Sequence, residues 1–239
     1  MNRLLSQAAE NFSFLLCCLA IIAGLILLAK LVEHFMPTKR QVSTARRISI
    51  IGICSALATV LHILDFPLPF IAPEFYKLDL SELPVLLCGF FLGPSATVAC
   101  EGIKILLKLL LKGTTTAFVG DFANFFVGCS LVLPATIFYH LRKSKHSALI
   151  GLIIGSVCIT VFGSAFNAIY LLPKFSQLFG MPLDAIIGMG AKIHPRINNV
   201  TSFVFFCVAP LNLIKASIVS ILAMLLYKRI ARPLFGKAL

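Results

Sequence analysis

The sequence is short of charge, and short of acid above all. Only 9 of its 239 residues are Asp or Glu, against 21 Lys and Arg, and charged residues make up 13% of the chain. A soluble globular domain carries about 25% charged residues, so an ordinary water-soluble enzyme is excluded. Too little of the chain is polar for intrinsic disorder. Catalytic signatures are missing as well: there is no GxxxxGK[ST] phosphate loop and no HExxH zinc motif. Gly93-Pro94-Ser95-Ala96 lacks the second glycine of an intramembrane serine protease, and Gly120-Asp121 lacks the earlier glycine of an aspartyl one. No CxxC pair occurs among the eight cysteines, all of which lie in apolar stretches and read as small buried hydrophobes.

What the chain has is hydrocarbon. Hydrophobic residues make up 59%, and the mean hydropathy is +0.98. At about 20 residues per span there is room for about six or seven transmembrane helices. The net charge of +12 sits mostly at the ends of apolar stretches, where the positive-inside rule puts it, so it implies membrane lipid and not nucleic acid. The chain reads as an all-α polytopic membrane protein.

The first apolar run, Phe12 to Ala29, is too long for a cleaved signal peptide and has no A-x-A site, so it is a retained helix. Lys39, Arg40, Arg46 and Arg47 follow it, and only Arg3 precedes it, which puts the N-terminus outside. Further helices are predicted over about 47–64, 79–92, 95–112, 121–141, 148–172 and 201–227. Lys228, Arg229, Arg232 and Lys237 then place the C-terminus in the cytoplasm. Residues 65–80, with Pro67, Pro69 and Pro73, read as an ordered outer loop. Asp79 and Glu82 have the spacing of a capping box. Residues 173–200, with Gly180, Pro182, Gly188, Gly190 and Pro195, read as a long outer excursion.

Charges inside spans are costly and face a cavity, a partner or water. Glu101, Lys104, Lys108 and Lys112 are spaced three, four and four apart, on one helical stripe. Either Glu101 pairs with Lys104 while the other lysines snorkel outward, or the stripe borders a polar cavity; Lys112 reads as an interfacial anchor. In the last span, Pro210 removes a backbone donor, and Asn212 and Lys215 share a face three residues apart. Their amide and ammonium suit the edge of a flat heteroaromatic ligand with carbonyls and a ring N–H. The structural alternative pairs Lys215 with Glu101 or Asp121. Asp121 with Asn124, and Asn167 with Tyr170, are likewise three apart in the outer half, although Asp121 and Asn167 also suit helix caps. Together with Lys77 and Asp79 of the loop, these groups describe a pocket open to the outside.

Six blocks, taken together and in order, resemble the substrate-binding S components of energy-coupling factor transporters, and specifically the riboflavin-binding ones. They are Lys77-Leu-Asp-Leu-Ser-Glu-Leu-Pro84 with Gly89-Phe-Phe-Leu-Gly-Pro94, Glu101-Gly-Ile-Lys104, Gly120-Asp-Phe-Ala-Asn-Phe125, Val132-Leu-Pro134, Asn167-Ala-Ile-Tyr-Leu-Leu-Pro173 and Pro210-Leu-Asn-Leu-Ile-Lys215. The resemblance implies a six-helix membrane domain over residues 47–230, with the helix of residues 1–36 as an extra one. It implies riboflavin as a transported ligand rather than a cofactor, no catalysis, and a pocket covered by loop 65–80. Asn212 and Lys215 would meet the pyrimidine side of the ring, and Leu78 with Asn124 would lie near the ring or ribityl chain. It further implies a transmembrane coupling protein and two cytoplasmic ATPases as partners, in a prokaryotic plasma membrane. Gly52/Ala56 and Ser55/Thr59 form small-xxx-small pairs that read as the coupling-protein face, with packing inside the subunit as the alternative. A stand-alone secondary transporter of another flat polar solute is the competing reading.

Overall fold

The apolar runs fold as helices whose ends are set by local hydrogen bonding. The structure, a computed structural model, describes residues 12–36 and 42–235. Arg3, Lys39, Arg40 and Lys237, which entered the orientation reading, lie outside the described residues. In chain order the helices are α1 (Phe12–His34), α2 (Thr44–Ile63), α3 (Glu82–Leu92), α4 (Pro94–Lys112), α5 (Val119–Arg142) and α6 (Lys145–Phe166). A π-helical turn, Asn167–Leu171, carries α6 into α7 (Leu172–Phe179), and α8 (Leu183–Ala191) follows. A short α9 (Val200–Phe203) and a second π turn, Val204–Val208, lead into α10 (Ala209–Phe235).

Ser43 and Ser144 cap α2 and α6 by accepting the N–H groups of Arg46 and Ser147. The threonine loop does the same for α5: the Thr114 hydroxyl accepts the N–H of Phe118 at 3.0 Å, and the Thr116 hydroxyl that of Gly120 at 3.0 Å. The α5–α6 seam depends on small residues. A Cβ on Gly151 would sit 2.6 Å from the Ala135 carbonyl oxygen, and one on Gly155 2.4 Å from that of Leu131. In lipid such seams allow the backbone contact that the hydrophobic effect cannot supply.

Thr44–Ile63, Val119–Arg142, Lys145–Phe179 and Val200–Tyr227 are long and apolar enough to cross a membrane. α4 has the length, but its polar stripe turns inward, with Glu101 and Lys104 fully buried. α3 has 11 residues, too few to span alone at 1.5 Å per residue, and is buried along most of its length. Helices α2 to α6 and α10 make the six-helix core, and α1 lies beside α4.

Several boundaries depart from the sequence reading. Residues 173–200 are not an open excursion: α7 continues through Pro173, which sits in its first turn where a missing N–H is tolerated. α8 buries Ile186 and Ile187 against Leu78 and Phe203. Asp79 and Glu82 form no capping box; Ser81 is the N-cap and makes no side-chain capping bond. Asp79 instead accepts the Ser81 N–H at 2.9 Å, and both carboxylates turn inward to lysines. The paired small residues of α2 are split. Gly52 and Ala56 are exposed, and nothing would meet a Cβ on Gly52 within 4 Å. Ser55 and Thr59 are buried against α4, donating to the carbonyls of Cys100 and Lys104 at 3.3 Å each. Those two hydroxyls therefore belong to the subunit's own packing and not to a docking face.

Candidate functional site

The loop between α2 and α3 folds back on itself as a two-stranded ribbon, Phe66 opposite Leu78 and Pro67 opposite Lys77. Pro67 fits there because an edge strand needs no N–H donor at every position. The ribbon brings Phe75, Tyr76, Lys77 and Asp79 over a cavity of about 270 Å³ between α2, α4, α5, the first π turn and α10. Both π turns reach this cavity, through Leu171 and Val208, in keeping with the tendency of such turns to mark functional sites.

Polar groups converge on it from four helices. His62 comes from α2, Lys108 from α4, Asp121 and Asn124 from α5, and Asn212 and Lys215 from α10, with Asn167 from the first π turn. The Asn212 amide nitrogen has no hydrogen-bond partner among the described residues, and neither has Asp121 Oδ2. Apolar surface from Phe75, Val127, Phe175 and Leu211 completes the wall. A flat ring edge presenting both donors and acceptors suits such a lining.

Beneath the cavity runs a buried ionic chain. The Lys215 ammonium lies 3.0 Å from Asp79 Oδ2 and 3.0 Å from the Glu82 carboxylate. Lys104 continues it, donating to the Ser81 hydroxyl at 3.0 Å and to Glu101, with Glu82 at 3.5 Å. Burial pushes the Asp79 carboxyl up, but the neighbouring Lys215 ammonium outweighs it and holds it well below the usual carboxylate range. Asp79 thus stays ionised and anchors the loop to α10. A second anchor is the Tyr76 hydroxyl, which donates to Asn167 Oδ1 at 2.6 Å. Burial pushes that phenol up, so it stays protonated as the donor. At the mouth, Lys77 and Lys112 share Asp65 at 3.3 and 3.2 Å in a half-exposed cluster.

Of the residues singled out in the sequence, Lys77, Asp79, Asp121, Asn124, Asn167, Asn212 and Lys215 line the cavity. Leu78 and Tyr170 do not. Strand alternation turns Leu78 away into the cluster of Ala72, Leu172 and Ile186, where it is 1% exposed. Tyr170 lies on the far side of the π turn, stacked on Phe166 with centroids 5.3 Å apart. Lys215 is ion-paired, but with Asp79 and Glu82 rather than Glu101 or Asp121. Lys108 does not snorkel outward; it pairs with Asp121. His62 and Tyr76 were not anticipated. His62 Nδ1 lies 3.4 Å from Asp79 Oδ2 without hydrogen-bond geometry. An ionisable ring in the last turn of an apolar helix was the available signal.

The chain is similar to known proteins over most of its length. The family model described as "ECF transporter, substrate-specific component" matches residues 46–227. The chain is 34% identical over 193 residues to a riboflavin transporter, RibU, of Staphylococcus aureus, covering 81% of this chain and 94% of that one. It is 25% identical over 183 residues to the riboflavin transporter FmnP of Bacillus subtilis, covering 76% and 90%. A solved S component of a bacterial ECF transporter superposes with a TM-score of 0.64 at 33% identity, covering 80% of this chain and 99% of that one. The match starts at residue 46 and so leaves α1 outside it. With a family model matched over most of its length and a relative 34% identical across 81% of it, the chain belongs to the substrate-specific components of ECF transporters.

Proposed function

We propose that this chain captures riboflavin from the outer side of a prokaryotic plasma membrane, in the cavity roofed by residues 65–80. The observation that carries the reading is the set of polar residues that line one cavity from separate helices, with Asn212 Nδ2 and Asp121 Oδ2 unpartnered among the described residues. An ammonium has three donors, and Asp79 and Glu82 take two from Lys215, leaving one for a ring carbonyl. The Asn212 amide supplies the complementary donor and acceptor beside it. Phe75 and Phe175 offer faces for the ring system. The names of the Staphylococcus and Bacillus relatives support riboflavin over other flat solutes.

Membership of the ECF family supports accumulation driven by two cytoplasmic ATPases through a transmembrane coupling protein. The open strip at Gly52 and Ala56 is the docking face we assign to that protein, since small residues permit close helix approach. The excess of basic residues at the end opposite the cavity supports an N-terminus outside and a C-terminus in the cytoplasm.

The test is a titration of the purified protein with riboflavin, read by quenching of flavin fluorescence, beside an uptake assay in cells with and without the ATPases. Saturable quenching and ATPase-dependent accumulation are expected. Accumulation without the ATPases would favour a stand-alone secondary transporter, and absent quenching would reject the ligand.

A further inference from the structure

At the end of the bundle opposite the loop, α1, α2 and the α3–α4 turn enclose a second cavity, of about 350 Å³. Its walls carry Lys30, Glu33 and His34 from α1, Arg47 from α2 and His140 from α5. None of these serves the ligand site.

The one acid there is already engaged. Glu33 Oε1 accepts the Ser95 backbone N–H at 2.8 Å, and Oε2 accepts the Ser95 hydroxyl at 2.8 Å. Ser95 lies in the first turn of α4, whose own N-cap, Gly93, has no side chain to offer. A carboxylate at that point is favoured by the helix dipole and offsets the exposed N–H groups. Arg47 donates to the same Ser95 hydroxyl at 2.7 Å, which leaves most of its five N–H donors unused. Lys30 makes no ion pair among the described residues. His34 meets only the edge of the Phe35 ring, at 5.6 Å between centroids. The cavity therefore holds two permanent cations against one acid, and both of that acid's oxygens already accept a bond from Ser95. Its unmet demand is for an anion with several acceptor oxygens.

The surroundings narrow the choice. Leu31 on α1 is 56% exposed, Phe35 just past its end 77%, and Ile48 on α2 65%. These side chains continue the apolar outer faces of the two helices beside the basic groups. A freely dissolved phosphate has no use for such a fence, whereas a molecule with acyl chains does. Basic hollows between membrane helices are recognised lipid-headgroup sites on general grounds.

We propose that this cavity binds the phosphate headgroup of an anionic phospholipid, with Lys30 and Arg47 as its cationic partners and the acyl chains along Leu31, Phe35 and Ile48. α1 supplies half of the site, so the segment outside the family match gains a role: it turns a bare helix end into a lipid seat.

The experiment titrates the full-length purified protein in detergent with phosphatidylglycerol, and reads the thermal unfolding midpoint. Phosphatidylcholine and inorganic phosphate are run in parallel. A saturable rise with phosphatidylglycerol alone is expected. Lys30→Ala should weaken the apparent affinity about fivefold, and Lys30→Glu by more, while Lys145→Glu, on the exposed start of α6, should not. Because Lys30 makes no hydrogen bond or ion pair among the described residues, neither of its variants should shift the lipid-free midpoint. Intact-protein mass spectrometry should retain one phosphatidylglycerol per chain, and lose it in Lys30→Glu. An equal rise with phosphatidylcholine, or with phosphate, overturns the proposal. So does an undiminished response in Lys30→Glu, or a loss in Lys145→Glu that matches it.

Discussion

The two ends of the bundle handle charge in opposite ways. Under the loop, Asp79, Glu82, Glu101, Lys104 and Lys215 are all at most 8% exposed, and each ammonium faces at least two carboxylates. At the other end, Glu33 is matched by neutral Ser95 donors and a half-buried Arg47, with Lys30 exposed beside them. The first arrangement is stable only as a complete set, because each ion lacks water to fall back on. The second tolerates a missing member, because solvent screens what is left. Ionic groups of similar chemistry thus fix the geometry at one end and adjust it at the other.

Breaking the buried set should have the largest effect. Glu82→Gln keeps volume but leaves Lys104 and Lys215 each short of a counter-charge, at a cost of about 3–5 kcal/mol. The thermal unfolding midpoint would read it, and a change no larger than that of a surface substitution would show that the chain is not a closed set. Lys215→Ala comes next. It should weaken flavin binding by about 1–3 kcal/mol and also lower stability, since Asp79 and Glu82 lose their shared partner. An unchanged titration of the folded variant would remove Lys215 from the site.

A pair of changes on α2 sharpens the contrast between buried and open faces. Ser55→Leu overpacks the contact with Cys100 and should cost about 1–3 kcal/mol. Ala56→Leu, one residue on, should leave stability and flavin titration unaltered while abolishing energised uptake. Equal damage from both would place Ala56 inside the subunit's own packing. The smallest effect is expected at the far end: Glu33→Gln should cost about 0.3–1 kcal/mol of stability, the value of a charge at a helix N-terminus. Flavin affinity should stay unchanged, and a clear loss would mean that the two ends are coupled.

The helices were legible from the sequence because a long apolar run has few alternatives in lipid. So was the cavity's polar face, since an amide and an ammonium three residues apart, Asn212 and Lys215, stand out inside such a run. Pairing was harder to read. Lys215 meets Asp79 across 136 positions, and nothing local distinguishes that partner from Glu101 or Asp121. Leu78 was misplaced because its direction depends on a two-residue strand too short to show alternation. Ser55 and Thr59 share a stripe with Gly52 and Ala56, and only the path of α4 across α2 decides which edge is covered. Pro173 looked like a helix end, but the π turn before it keeps the helix running.

Gly93 joins two constraints at one position. Its φ of +109° is one that side chains rarely adopt, and a Cβ there would lie 2.5 Å from Glu33 Oε1. Any larger residue would therefore strain the α3–α4 turn and evict the carboxylate from α4 in the same step. This has a consequence for chimeras. A core spanning residues 46–227 taken from another relative will accept the N-terminal segment of this chain only if it brings a glycine to face Glu33. Compatibility between the two segments can thus be screened at a single codon, before any protein is made.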